Sequence, residues 1–181
     1  QEVSLYRANP TTGTIRKILT ERDDTWLDLQ PVHWVSGGQA FLWVSERDGW
    51  RHLYRFSSEG GEPELLTPGD FDILSVEGVD ETTGLVYFIA SPDDPGQRYL
   101  YQAHLDGGAG VQRVTPTEPA GTHVYDISPR GSFAWHTISS ADTPPVTEMV
   151  SLPDHESLRT VVDNAELTER IQALDLSPTE F

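Results

Sequence analysis

Residues 41–56 have the sequence FLWVSERDGWRHLYRF, in which two apolar runs flank an Asp-Gly pair. The Arg47-Asp48-Gly49 segment predicts a tight turn, because Asp and Gly readily adopt the backbone conformations that turns require. The flanking residues 40–45 and 50–56 are rich in aromatic and apolar side chains, which favour strands. This stretch therefore predicts two antiparallel strands joined by a turn.

The features of this stretch recur along the chain at intervals of 46 to 48 residues. A Leu-Tyr pair occurs at Leu5-Tyr6, Leu53-Tyr54 and Leu100-Tyr101. A Leu-Thr or Val-Thr pair occurs at Leu19-Thr20, Leu66-Thr67 and Val114-Thr115. A serine ends an apolar run at Ser45, Ser91 and Ser139. Since three separate markers keep one register, they predict a repeated structural unit.

Each complete repeat contains four short runs of strand character, separated by turns rich in Gly, Pro and Asp. In the second repeat, for example, we expect the first strand at residues 29–35. Four antiparallel strands in a period of about 40–50 residues are typical of β-propeller blades. A β-sandwich also has closely spaced strands, but the fixed register argues against it. We therefore expect an all-β fold, a partial β-propeller of about three and a half blades, with units at residues 1–25, 26–72, 73–121 and 122–163.

The predicted blades are too few to close a ring, because propellers typically have four or more. A blade at either end of an open arc would expose an apolar face. We therefore expect the chain to form homo-oligomers or to depend on further blades, and we infer that it starts inside a longer protein.

The C-terminal segment, residues 164–181, differs from the repeats and is expected to be a helical connector toward a further domain. Asp163-Asn164 followed by Glu166 resembles a capping box, which predicts a helix start. Three apolar residues then share one helical face, and Ser177-Pro178 is expected to end the helix. The three apolar residues are Leu167, Ile171 and Leu174.

The composition argues against several classes of partner. With 29 acidic and 12 basic side chains, the net charge of −17 disfavours binding to nucleic acids and to anionic membranes. The chain has no cysteine, so disulfides and thiolate chemistry are excluded. The sequence also contains no apolar run long enough for a transmembrane helix and no recognisable signal peptide, and we expect any export signal to lie upstream.

No catalytic, metal or cofactor motif is recognisable. The Gly-x-Ser-x-Gly motif of α/β-hydrolases is absent, and Gly131-Ser132 belongs to a predicted hairpin turn. The six histidines are not spaced as metal ligands, and each lies in or beside a predicted strand, where packing or a hydrogen bond to a turn is expected. In the turn at residues 46–51, Arg51 is expected to pair with Glu46 or Asp48. We therefore expect no catalytic residue, no bound metal and no cofactor.

Two motifs carry a family resemblance: WVSERDGWRHLYRF at residues 43–56 and LLTPGDFDI at residues 65–73. Together they resemble the late propeller blades of dipeptidyl peptidase IV-like enzymes in the prolyl oligopeptidase superfamily. DDTWL at residues 23–27 and VVDNAEL at residues 161–167 fit the same family in the same order. The resemblance covers nearly the whole chain.

This resemblance implies a full-length serine exopeptidase that removes N-terminal dipeptides and has an N-terminal propeller and a C-terminal α/β-hydrolase domain. The implied catalytic triad would follow Phe181, and the paired glutamates that bind the substrate amine would lie in an earlier blade. The implied location is periplasmic or secreted. The alternative is a propeller used for binding or as a scaffold, with no hydrolase partner.

One segment of this chain is a candidate for contact with the peptide substrate. In the family, the start of the blade that carries the SERDGW-like turn lies near the substrate cavity, which corresponds here to residues 24–30. Trp26 is the candidate substrate-binding residue, because an aromatic ring can line an apolar pocket. The competing interpretation is that Trp26 packs inside a blade.

Overall fold

The computed structural model describes residues 1–174, which form antiparallel sheets with one short helix, as expected for an all-β arc. The first sheet has two strands, β1 (Glu2–Ala8) and β2 (Ile15–Arg22). The second contains β3 (His33–Val35), β4 (Ala40–Ser45), β5 (His52–Ser57) and β6 (Glu64–Leu65). The third contains β7 (Ile73–Asp80), β8 (Leu85–Ala90), β9 (Tyr99–His104) and β10 (Gln112–Arg113). The fourth contains β11 (Thr122–Ile127), β12 (Phe133–Ser139), β13 (Val146–Ser151) and β14 (Ser157–Val162).

In each four-stranded sheet, strands adjacent in sequence are also adjacent in space. This meander is the arrangement expected for a propeller blade. The third strand of the second sheet begins at His52 rather than at residue 50, because the Arg51 amide donates to the Asp72 carboxylate (2.7 Å) outside the sheet. The first strand is also shorter than predicted, since Pro31 lacks an amide proton for strand pairing.

In the second and third sheets, the repeated Leu-Tyr pair and the Leu-Thr or Val-Thr pair have a shared structural cause. Leu53 donates its backbone amide to the Thr67 hydroxyl (2.9 Å), and its carbonyl accepts from the Leu66 amide (2.9 Å). Leu100 makes the equivalent bonds to Thr115 (2.7 Å) and Val114 (2.8 Å). A buried threonine side chain thus continues the hydrogen bonding where the two-residue outer strand ends. Without it, the buried leucine amide would have no acceptor.

The sheets are stacked face to face, and alternate residues of one strand therefore enter different cores. Phe41 and Trp43 pack with Ile18 and Leu19 of the first sheet. Leu42, which lies between them in sequence, belongs to the core shared by the second and third sheets. A third core joins the third and fourth sheets, with Tyr87, Leu100, Tyr125 and Val150 among its members.

The two ends of the stack are open. On the fourth sheet, the face turned away from the third exposes Val124, Phe133 and Trp135, with Trp135 47% exposed. On the first sheet, Tyr6 and Ile15 are also largely exposed. All six residues of β14 are exposed. The apolar outer face of the fourth sheet therefore has no neighbour within the described residues.

A short helix, α1 (Ala165–Gln172), follows the last strand, but its start differs from the predicted capping box. Asn164 has a left-handed backbone (φ 48°), and its side chain donates to the Pro145 carbonyl (2.6 Å) rather than accepting a helix amide. The Asp163 carboxylate accepts from the Ala165 amide instead (3.1 Å). The helix buries no residue, so its apolar face is unoccupied within residues 1–174, and Ser177-Pro178 lies outside the described residues. No helix in the described part of the chain is long and apolar enough to cross a bilayer.

We predict that a side chain at Gly131 would destabilise the fold, because the third and fourth sheets approach each other closely there. Gly131 has a φ of 66°, and a Cβ there would lie 2.7 Å from Asp80 Cβ and 3.2 Å from the Tyr87 ring. Gly84 has a similar φ of 74° but no atom within 4 Å of an added Cβ. Gly84→Ala should therefore cost about 1 kcal/mol of backbone strain, and Gly131→Ala about 1–3 kcal/mol more from the clash. Urea unfolding of both variants checks this, and equal losses would contradict the close approach of the two sheets.

Candidate functional site

The loop between β2 and β3 contains Trp26 and is ordered by Asp23. The Asp23 carboxylate accepts hydrogen bonds from the Thr25 amide (2.6 Å) and hydroxyl (2.6 Å) and from the Trp26 amide (3.1 Å). The Thr25 hydroxyl, followed by the two amides, lowers the pKa of Asp23 below its ordinary value. The loop thus starts with a turn in which a short acidic side chain replaces a backbone acceptor.

Trp26 does not pack inside a blade within the described residues. Its side chain is 69% exposed and borders a cavity of about 170 Å³. The cavity lies between this loop and the turn that joins β4 to β5, and its lining includes Leu27, Trp43, Glu46 and Arg51. The sequence-predicted candidate therefore lies at a real concavity, although the size of the cavity suits one side chain rather than a whole ligand.

The inner wall of this cavity contains a buried carboxylate, Glu21 at the end of β2. It accepts hydrogen bonds from the Ser45 hydroxyl (2.7 Å), the Trp43 indole (3.2 Å) and the Arg47 guanidinium (2.7 Å). Because a buried charge is costly unless it is paired and hydrogen-bonded, this set of donors keeps Glu21 compatible with its burial. The network joins the first sheet to the second directly beneath the Trp26 loop.

The Trp26 loop is also anchored by Arg51, which pairs with Asp28 (2.9 Å). The expected pairing of Arg51 with Glu46 or Asp48 is wrong. Asp48 instead accepts from the Trp50 amide (3.2 Å) and lies 2.8 Å from His52 Nδ1. Burial raises the pKa of Asp48, but hydrogen bonds from His52 and Tyr54 outweigh it, so the pKa lies below its ordinary value. Arg51 is thus available to hold a loop 23 residues earlier in the chain, a contact that the local sequence does not indicate.

A second concavity adjoins the first and shares Glu46 and Arg51 with it. It has a volume of about 980 Å³ and lies between the second and third sheets. Its lining includes Trp50, Phe71 and Arg98. The turn at residues 46–51 therefore forms a ridge between two neighbouring depressions, and the motif that carries the family resemblance lies at the centre of this surface.

The surroundings of the histidines agree only partly with the packing roles expected from the sequence. His52 packs in the interior beside the Phe71 ring, with 5.8 Å between centroids, as a structural histidine would. The sequence did not indicate that His123, His136 and His155 lie together, because strand pairing rather than sequence spacing brings them into contact. No group of residues in the described part of the chain has the arrangement of a metal site. The Ser132 hydroxyl contacts the Arg130 carbonyl in its turn (3.5 Å), as expected for a hairpin residue.

Comparison with known proteins identifies the family. The model of the dipeptidyl peptidase IV (DPP IV) N-terminal region matches residues 1–145. A relative from Aspergillus flavus, named "Probable dipeptidyl peptidase 4", is 29% identical over 171 residues, which covers 90% of this chain and 22% of the relative. The "Dipeptidyl peptidase 4" of Trichophyton equinum is 25% identical over 172 residues, which covers 91% of this chain and 22% of that protein.

The crystal structure of Porphyromonas gingivalis dipeptidyl peptidase 4 superimposes with a TM-score of 0.84 and 27% sequence identity, over 95% of this chain and 24% of that one. The chain thus spans less than a quarter of the length of these relatives. The family model covers most of the chain, and the superimposed crystal structure shares its fold. The chain therefore belongs to the family of dipeptidyl peptidase IV N-terminal regions.

Proposed function

We propose that this chain is the later part of the propeller domain of a dipeptidyl peptidase IV-like serine exopeptidase and that it forms part of the wall of the substrate chamber. The observation that carries the proposal is the exposed Trp26, held over a cavity by the Arg51–Asp28 ion pair on a surface that includes the family motif. The role is to shape and limit access to the chamber rather than to perform chemistry. In this proposal the nucleophile, its base and the orienting acid belong to a hydrolase domain of the same longer protein, which acts in the periplasm or outside the cell.

The geometry suits a role in positioning a peptide. An aromatic ring contributes apolar contact with few rotatable bonds, so little entropy is lost when substrate binds. The loop that carries Trp26 is fixed at one end by Asp23 and near the other by the Asp28–Arg51 pair. Beneath it, Glu21 and Arg47 join two sheets. Residues placed by such a scaffold keep their geometry when substrate binds. A wall of this kind can select among peptides as well as enclose them.

We also propose that the open sheet faces dock against further blades of the same domain. The outer face of the fourth sheet repeats the pattern of the faces that are buried between sheets, with Phe133, Trp135 and Val124 uncovered. In the isolated chain, a second copy is the natural substitute for an absent blade, because exposed apolar sheet faces associate. In this proposal the further blades of a longer protein cover these faces, and the isolated chain covers them by self-association.

The proposed function predicts different activities for the isolated chain and for the longer protein that contains it. The isolated chain should release no p-nitroaniline from Ala-Pro-p-nitroanilide, whereas the longer protein should hydrolyse it. In that longer protein, Trp26→Ala should raise KM about 3–10-fold, through loss of an aromatic contact of roughly 1 kcal/mol, with a smaller effect on kcat. Steady-state kinetics measure both constants.

Trp34→Ala is the matched control, because Trp34 is also a partly exposed tryptophan but packs on Phe41 (5.3 Å) away from the cavity. Its KM should be unchanged. Equal KM values for the Trp26→Ala variant and the unmodified protein would refute the role of Trp26. Hydrolysis by the isolated chain would refute the non-catalytic role, and absence of hydrolysis by the longer protein would favour a binding or scaffold module.

The open-face proposal predicts concentration-dependent self-association of the isolated chain in sedimentation velocity. Trp135→Glu should shift the population toward monomer, because it places a charge in the apolar patch on the fourth sheet. Trp50→Glu adds the same charge on the loop surface and should leave association unchanged. A monomer of the unmodified chain at every concentration would contradict this proposal.

A further inference from the structure

The interface between the third and fourth sheets contains a buried pair of histidines. His123 on β11 and His136 on β12 are 2% and 3% exposed, and their rings lie parallel, with 5.1 Å between centroids. His123 Nδ1 lies 2.8 Å from His136 Nε2. The Tyr99 ring of the third sheet packs against His123 (5.3 Å). Charge on His123 would therefore lie at the boundary between two blades.

The hydrogen-bond partners of the two rings indicate which ring nitrogens carry a proton when both histidines are neutral. The outer partners are both acceptors: the Pro119 carbonyl, 3.2 Å from His123 Nε2, and the Glu148 carboxylate, 3.0 Å from His136 Nδ1. Two neutral imidazoles have two N–H groups for three contacts. They can donate to Glu148 and between the rings, which leaves the longest contact, to Pro119, without a proton. A proton added at His123 Nε2 would supply this third bond.

That additional bond does not balance the cost of the charge. The free energy gained from one hydrogen bond to a charged group is smaller than the free-energy cost of burying an ion without a counter-ion. Glu148 lies beside His136 rather than His123 and also accepts from the Ser157 hydroxyl. Burial, followed by the proximity of His136, lowers the pKa of His123 to about 4. Burial lowers the pKa of His136 as well, against the opposing effect of Glu148.

The other groups around the pair do not provide a counter-charge for His123. From the third sheet, Arg113 stacks over Tyr99 (3.5 Å) and adds positive charge near His123. From the β13–β14 turn, His155 lies 2.7 Å from the Tyr125 hydroxyl, which also bonds Thr115 (2.8 Å). His155 is itself titratable, and burial lowers its pKa. Among these neighbours, Glu148 is thus the one acidic group and Arg113 the one permanent cation.

We propose that this cluster is an acid-sensitive latch: protonation of His123 loosens the fourth sheet from the third, while the second and third sheets stay joined. Opening the interface lets water solvate the new charge, which the closed interface cannot do. The interface between the second and third sheets contains one buried histidine, His52, whose ring faces the Asp48 carboxylate at 2.8 Å. Unlike His123, His52 has no second imidazole beside it within the described residues, so acid should affect the two interfaces differently.

The direction of the pH dependence follows from the two end states. In the opened state His123 has an ordinary pKa near 6.5, and in the closed state it has a pKa of about 4. The closed state is therefore fully favoured above pH 6.5, and the preference is lost as the pH falls toward 4. For this one group, the equilibrium constant for opening should rise about 30-fold between about pH 7.5 and about pH 5.

Hydrogen–deuterium exchange of the whole chain at these two pH values, corrected for the chemical exchange rate, tests the latch. Amides of β11 and β12 should lose about tenfold or more of their protection at the lower pH, whereas amides of β4 and β5 should keep theirs. Parallel loss in both pairs of strands, or no loss in either, would overturn the proposal. This readout is independent of peptidase activity.

His123→Gln removes the titrating group but keeps a side chain that donates and accepts hydrogen bonds, so it should abolish most of the acid response of β11 and β12. His104→Gln is the control, because His104 lies on β9 and has no hydrogen bond or ring contact with the cluster. It should retain the full response. A full response in the His123→Gln variant would overturn the proposal. If that variant does not fold, NMR titration of the His123 ring in the unmodified chain decides, and a midpoint at or above 6.5 would overturn it.

Discussion

The requirement that a short four-stranded sheet cover both of its faces governs the rest of this structure. A single twisted sheet of this size cannot bury its apolar side chains alone, so neighbouring sheets must supply the cover. The strand β8 (Leu85–Ala90) shows the result most clearly, because all six of its residues are buried although they point alternately to two faces. Each inner sheet thus belongs to two cores at once, and the stability of one blade depends on the blades beside it.

The same requirement leaves mainly the loops and turns free to contact a ligand. The strands use their side chains for packing, and the two neighbouring depressions are bordered largely by the loops and turns between them. The ion pair between Arg51 and Asp28 and the buried carboxylate Glu21 turn one of these loops into a fixed surface. A chamber wall in a peptidase needs this combination, since a substrate is selected by groups that stay in place. The blades are the support, and the loop that carries Trp26 is the part that meets the peptide in the proposed function.

The repeat in the sequence was sufficient to predict the sheets, because apolar runs and turn residues recur in one register. In the second and third sheets, the Leu-Tyr pair and the Leu-Thr or Val-Thr pair also mark a hydrogen-bonding arrangement between the last two strands. It did not predict where irregular segments end. Pro31 shortened β3 because it lacks an amide proton, and Asp72 accepted the hydrogen bond of the Arg51 amide, so that β5 begins later than predicted. The capping box was predicted from residue types alone, but Asn164 bonds a carbonyl in the preceding hairpin. For Arg51 and Asn164 a tertiary contact overrode local propensity, whereas the effect of Pro31 is local.

For the candidate site, the family resemblance indicated the loop and Trp26, whereas the residues that hold the loop could not be read from the sequence. Asp28 and Arg51 are far apart in sequence and meet only because two loops lie at the same edge of the stack. The histidine cluster is a similar case, since Tyr125 pairs with His136 across two strands and this register brings His123 alongside. Contacts of this kind depend on which strands and loops the fold places side by side, and a local sequence pattern does not contain that information.

The most direct measurement is residue-resolved amide exchange by NMR at neutral pH, because it reports how protection is distributed across the stack. If coverage by neighbouring sheets is the source of stability, amides of β8 and β9, with a sheet on each side, should be the most protected, and those of β13 should be clearly less protected. Equal protection in these strands, or greater protection in β13 than in β8, would contradict the account.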